Sequence, residues 1–246
     1  MIHKTALVSD KADIGKNVVI GPFTVVHENV VVKDNSIIEG FCEIGYPTNL
    51  AKTNALVIGE NSLIRSHSIF YQGSVFGDRL ITGHRVTIRE NVTAGKNLQI
   101  GTLSDFQGDC EIGDFVRTHS NVHIGKKSII GDFVWIFPYV VLTNDPHPPS
   151  DILEGVIVHD YAVIATMSVL LPGVTVGSNS LVAAHSLVNK DVPESQVVGG
   201  APAKILCAAD VIKLKGSEGK SAYPWPRHFH RGYPEEVVSK WKQDFN

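Results

Sequence analysis

The sequence predicts an all-β chain wound as a parallel β-solenoid of about nine triangular coils, and three observations carry that expectation. First, aliphatic or aromatic residues, with threonine at Thr82 and Thr118, return at every sixth position. Ile14, Ile20, Val26, Val32, Ile38 and Ile44 open the series, a second block runs in one phase from Ile58 to Leu142, and Val158, Ile164, Leu170, Val176, Val182 and Val188 close it. A period of six fits neither a helix nor a flat half-buried strand, whereas a chain that turns a corner every six residues points one large side chain inward per face. Second, glycine follows the beat at Ile14-Gly15, Ile20-Gly21, Ile44-Gly45, Ile112-Gly113 and Ile130-Gly131, where the backbone is expected to bend without a Cβ. Third, small or branched residues such as Val18, Val86, Val116, Val134 and Val174 recur two positions before the beat and fill the narrow interior by strand alternation. Three faces of six make a coil of eighteen, and stacked strands give a prism roughly 40 Å tall.

The repeat forms one domain over residues 1–205, interrupted near 46–57 and near 143–157. A solenoid tolerates insertions as loops thrown out from a corner, so function is expected there. The second insertion, Thr143-Asn144-Asp145-Pro146-His147-Pro148-Pro149-Ser150-Asp151, combines stiffening prolines with acids, an amide and an imidazole. Beyond Ile205 the beat stops. An extension, 206–246, carries an aromatic, His-rich patch from Tyr223 to Arg231, expected to fold back over a coil or a neighbouring subunit. Pro234, Glu235 and Glu236 then open a helix near 234–245 whose Val237, Trp241 and Phe245 form a packing stripe. That helix is expected to cap the solenoid, because an open end exposes unpaired strand edges.

A net charge of −3 with no basic stripe argues against a nucleic-acid partner. Cys42, Cys110 and Cys207 are scattered, without a CxxC pair, and read as free thiols in a reducing compartment. The N-terminus enters the repeat almost at once, and no apolar run approaches membrane-spanning length. A soluble, cytoplasmic protein without a membrane partner is expected.

The hexapeptide beat resembles the hexapeptide-repeat, left-handed β-helix family over roughly residues 1–205. The left hand comes from that resemblance alone, since parallel crossovers are otherwise right-handed. Most members are acyltransferases that use acetyl-CoA or a related thioester and work as homotrimers. Asn121-Val122-His123-Ile124, running through Phe133-Val134-Trp135-Ile136-Phe137-Pro138 to Thr143-Asn144-Asp145, looks like a segment of nucleotide-aminosugar N-acetyltransferases. Lys126 stands where that group tends to have an acidic residue. His147-Pro148 sits where sugar O-acetyltransferases and xenobiotic acetyltransferases carry a His-Pro whose imidazole is the general base. The resemblance implies transfer of acetyl from acetyl-CoA, with no metal, to the amino group of a nucleotide-linked amino sugar. O-acetylation of a sugar hydroxyl is the alternative. A γ-carbonic-anhydrase-like zinc protein and a non-catalytic scaffold are alternatives of a different class.

Acyl transfer to an amine or hydroxyl releases a proton, and histidine is suited to collect it near neutral pH. His147 is the first candidate base, oriented by Asp145 or by a carboxylate from the subunit boundary. His123 is the second. In a mechanism without a protein base, Asn121, Asn144 and Asp145 would only position the amine. His84, in the phase of the catalytic imidazole of lipid A type acyltransferases, and His119 complete the acceptor-side set. On the donor side, Ala165, Thr166, Gly173, Ala183, Ala184 and Ala201 resemble the terminal signature of CoA-dependent members, where small residues let pantetheine lie along the coil edge. Lys190 and Lys204 are available to phosphates as point charges.

Overall fold

The structure, a computed structural model, describes residues 1–217 and 219–245; residues 218 and 246 of the predicted extension lie outside the described residues. The chain winds through three parallel sheets in strict rotation, a first of ten strands, a second of nine and a third of eleven. Strands eighteen residues apart pair in register, as in Leu7 with Val25 and Phe106 with Ile124. The stack is a little longer than the nine coils counted from the beat, because Leu7–Val8 adds a strand before Ile14 and Gln196–Gly200 adds one after Val188. Ala203–Ala208 then returns antiparallel against Gln196–Gly200 and closes the third sheet.

Every beat residue is buried except Ile14, which packs against the core from its rim. The residues two positions earlier are buried too, apart from the half-buried Ala12, and many are serine, which the valine pattern does not explain. Their hydroxyls donate to corner carbonyls, as from Ser68 to Arg65 (2.8 Å) and Ser128 to Gly125 (2.7 Å). They also accept from the coil above, as Ser62 does from the Leu80 N–H and Ser104 from the Val122 N–H. Each serine thereby satisfies backbone groups that the narrow interior cuts off from water. Cys42 and Cys110 occupy the same position and donate to Arg65 and Gly125 carbonyls; burial pushes both thiols up to about 11.

The glycines beside the beat have a different cause from the one expected. Of those named, only Gly45 takes a positive φ; at Gly15 and Gly113 a Cβ would press within 2.7 and 2.8 Å of the Asp34 and Asp132 amide nitrogens of the next coil. The requirement is close stacking. The left-handed turn falls two residues later, at Asn17, Asn35, Asn61, Asn97, Asn121 and Asn179, all with φ of 56–59°, where asparagine is the non-glycine residue best suited to that region.

Aspartates stitch the edge between the second and third faces. Asp132 Oδ1 accepts the Asp114 N–H at 2.7 Å, and Asp160 Oδ1 accepts that of Asp132 at 2.8 Å. Burial, together with the charges of Asp160 and Asp114, raises the Asp132 carboxyl above the ordinary carboxylate value. Asp132→Ala is expected to cost about 1–2 kcal/mol by stranding the Asp114 N–H. Asp132→Asn, which keeps an acceptor and removes a charge, should stay near wild type; urea midpoints check both.

The C-terminal extension lies along the flank of the prism and does not close its end. Phe115, Phe133 and Tyr161 form a ring ladder on successive coils, 5.0 Å apart and within 10° of parallel. Trp225, Tyr233, Val238 and Trp241 pack against it as a second apolar cluster. Trp241 Nε1 donates to the Tyr161 hydroxyl and Trp135 Nε1 to the Tyr233 hydroxyl. The helix itself spans Glu235–Asp244. No described helix is long and apolar enough to cross a membrane.

Candidate active site

The two insertions leave the same edge, between the first and second faces. Val31 pairs with Val57 and Ile129 with Ile157, offsets of 26 and 28 in place of eighteen. The first loop leans over the coils above it, where the Lys52 N–H donates to Asn91 Oδ1 and its ammonium meets Asp109 at 2.9 Å. The second is tied down by Lys127, whose ammonium donates to the Leu153 carbonyl. Between them lies a charged ledge. Glu90 is fully buried and held by Arg89 through two contacts of 3.2 Å, while Lys126 reaches Asp109 at 3.1 Å and Glu90 at 3.9 Å. Burial works to raise the Asp109 carboxyl, but hydrogen bonds from Lys52, Lys126 and Asn91 outweigh it and hold the group low.

From that ledge a hydrogen-bond chain runs onto the first face. Arg89 donates to Gln107 Oε1 at 3.2 Å, Gln107 Nε2 donates to Asp105 Oδ2 at 2.7 Å, and the same oxygen meets His123 Nδ1 at 3.0 Å. Asp105 and His123 are register partners on adjacent coils, so the stacking itself aligns carboxylate and imidazole. Burial works against the Asp105 charge, yet the His123 and Gln107 bonds and the Arg89 charge hold its carboxyl below the ordinary value of 3.8. An ionised Asp105 selects the tautomer with the proton on Nδ1, leaving Nε2 as a free base.

The other predicted acceptor residues are distributed around this pair. His147 is exposed, and among the described residues its imidazole makes no hydrogen bond. Asp145 does not orient that ring. Its carboxylate accepts the His147 N–H and both the N–H and hydroxyl of Ser150, which pin the loop and, with the Ser150 hydroxyl bond foremost, keep the carboxyl low. The Asn144 carbonyl accepts the Glu154 N–H at the base of the same loop. Asn121 is a left-handed corner on the opposite edge, between the third and first faces. His119 lies on that edge, stacked on Phe137 at 4.6 Å, and burial followed by the Arg117 charge lowers its pKa. His84, two coils below, meets the Ser66 hydroxyl at 2.9 Å and Glu39 at 3.9 Å.

The donor-side residues divide between two edges. Ala165, Thr166, Ala183 and Ala184 follow strands of the third sheet and line the edge that carries His119. Ala201 and Lys204 lie in the closing hairpin, whose Leu206 packs beside Gly199 and Ala183. Gly173 and Lys190 follow strands of the first sheet and sit on the loop-bearing edge, Gly173 against Glu154. In the His-rich patch, His228 and His230 bond the Ala222 and Pro226 carbonyls, and no group of three metal-ligating side chains converges among the described residues. Sequence reasoning missed Asp105, Gln107, Arg89 and Glu90; Asp105 was findable as the residue eighteen positions before His123.

Comparison with known proteins agrees with the fold. The chain superposes on an Arabidopsis UDP-N-acetylglucosamine acyltransferase with a TM-score of 0.68, over 85% of this chain and 74% of that one at 19% identity, a likeness of fold. The likeness is to a parallel β-solenoid. A family model described as the GMPPB C-terminal domain matches residues 1–101 of the chain. A 2,3,4,5-tetrahydropyridine-2,6-dicarboxylate N-acetyltransferase of Staphylococcus aureus (strain Newman) is 33% identical over 96 residues, which is 39% of this chain. The chain spans 34% of that relative's length.

Proposed function

We propose that this hexapeptide-repeat protein is a CoA-dependent acyltransferase that moves acetyl from acetyl-CoA to the amino group of a nucleotide-linked amino sugar, as a homotrimer. The observation that carries the reading is the Asp105–His123 pair, set on the first face between an edge of small residues and the edge that bears both loops. The names of an N-acetyltransferase relative and a UDP-N-acetylglucosamine acyltransferase neighbour support it.

In this reading the acceptor nitrogen attacks the thioester carbonyl, and His123 Nε2 takes its proton as the C–N bond forms. The C–S bond then breaks, and the imidazolium returns the proton to the departing thiolate, giving free CoA. Asp105 stabilises the transient imidazolium and keeps Nε2 aimed outward. Pantetheine lies along Ala165, Ala183 and Ala184, whose short side chains leave room for it, with Lys204 available to its phosphates. A single prism is convex, so the pocket is completed by a second copy.

Thiol release from acetyl-CoA, screened against nucleotide-linked amino sugars and their hydroxyl counterparts, tests the proposal. Turnover with an amino acceptor is expected. Absence of both thiol release and calorimetric CoA binding refutes acyl transfer, and turnover confined to hydroxyl acceptors refutes the amine.

A further inference from the structure

We infer that the third face, together with the C-terminal extension, forms a binding site for a nucleoside diphosphate. The extension leaves an apolar cavity of about 320 Å³ between itself and the coils, with Trp135 and Phe137 on the prism side and Trp225 and Phe229 on the other. Phe137 stacks against His119 at 4.6 Å and 19° and against Trp135 at 6.1 Å and 28°, a layered run of near-parallel rings. Phe229 and Trp225 meet Trp135 edge to face, at 86° and 79°. A planar heteroaromatic ring can extend such a stack inside an aromatic-lined cavity, and base-on-aromatic stacking tolerates any base.

Directly beside it runs a polar groove of about 460 Å³ that shares Trp135 as a wall. Arg65, Arg117 and Arg231 line this groove, and no carboxylate does so among the described residues. Arg117 is fixed by Gln99, by the Gly232 carbonyl and by the Tyr233 and Trp135 rings. Arg231 rests over Phe229 at 5.8 Å and has no ion pair among the described residues. The Thr118 hydroxyl, on the same groove, is buried without a partner. Arg65 pairs with Glu39 at 3.5 Å, which leaves the held Arg117 and the exposed Arg231 beside the aromatic cavity, a match for a pyrophosphate attached to a base.

The inference deepens the proposed acyl transfer, since two participants in that reaction carry this chemistry: the nucleotide of the acceptor and the 3′-phospho-ADP of CoA. Tryptophan fluorescence and calorimetry on the full chain, with UDP, TDP, ADP and CoA as probes, read the site without turnover. Quenching by at least one probe is expected, with affinity reduced about tenfold or more by Arg231→Gln, whose side chain is exposed and not needed for folding. Phe229→Ala should weaken the same probe. If the variants affect UDP or TDP and spare CoA, the site holds the acceptor's nucleotide; if they affect CoA, it holds the donor's. Failure of all four probes to bind, or binding indifferent to both variants, overturns the site. Thiol release separates the two ideas: turnover without nucleotide binding here removes the site and leaves the acyl-transfer reading, and binding without turnover does the reverse.

Discussion

His123→Ala is expected to lower the rate of acetyl transfer by about 10²- to 10⁴-fold while leaving CoA affinity nearly unchanged. Among the candidate histidines of the described residues its Nδ1 lies nearest a carboxylate, 3.0 Å from Asp105 against 3.9 Å from Glu39 for His84, and such an anchor orients the ring and, in its neutral form, favours the tautomer that keeps Nε2 open. Asp105→Asn is the sharper probe. An amide can turn its NH₂ toward Nδ1, which forces the proton onto Nε2 and removes the base without removing the ring. Its rate should fall nearly as far as that of His123→Ala, with the lost activity recovering little as pH rises. His147→Ala, in a loop held by Asp145 through backbone and Ser150 bonds, should change the rate far less. A collapse at His147 with His123 dispensable would move the base to the loop. The Asp105 carboxyl is depressed in the folded chain. Its pairing therefore contributes stability fully above the ordinary value of 3.8, and loses it as pH falls further toward the depressed value.

Phe70→Ala is expected to destabilise the chain by about 3–5 kcal/mol, read as a lower urea midpoint. Phe70 is fully buried and meets the Phe76 ring edge to face, with centroids 5.3 Å apart. The coils above and below are tied to it by pairing with Ile44 and Ile88, so the cavity cannot collapse without breaking register. The exposed Val75, on the strand of Phe76, is the control: Val75→Thr should stay within about 0.5 kcal/mol of wild type.

The solenoid was legible because its period is set by covalent spacing: one inward side chain per face makes burial a function of position, and the beat residues lie where the count puts them. Arithmetic in units of eighteen would have carried further than it was taken. It assigns Asp105 to His123, and it also divides Ala165 from Gly173, eight residues apart and therefore on different edges. Three features lay outside any such count. The loop lengths set the phase of each block but not how Lys52 reaches Asp109 across the ledge. The stacking role of the glycines depends on the distance between coils and not on local conformation. The extension has no repeat, and its flank position depends on the Phe115, Phe133 and Tyr161 ladder, whose members recur every eighteen residues until the second insertion shifts the last of them.

The reversed strand Ala203–Ala208 bears on how such a molecule avoids becoming a fibre. A column of like rungs presents its last rung as a template for the first rung of another copy, and nothing in the repeat tells it to stop. By running against the grain, this strand offers an incoming chain the wrong polarity along one side of the triangle, so end-to-end growth is refused there by direction. Trimming the chain before this turn would leave a terminus competent to nucleate filaments.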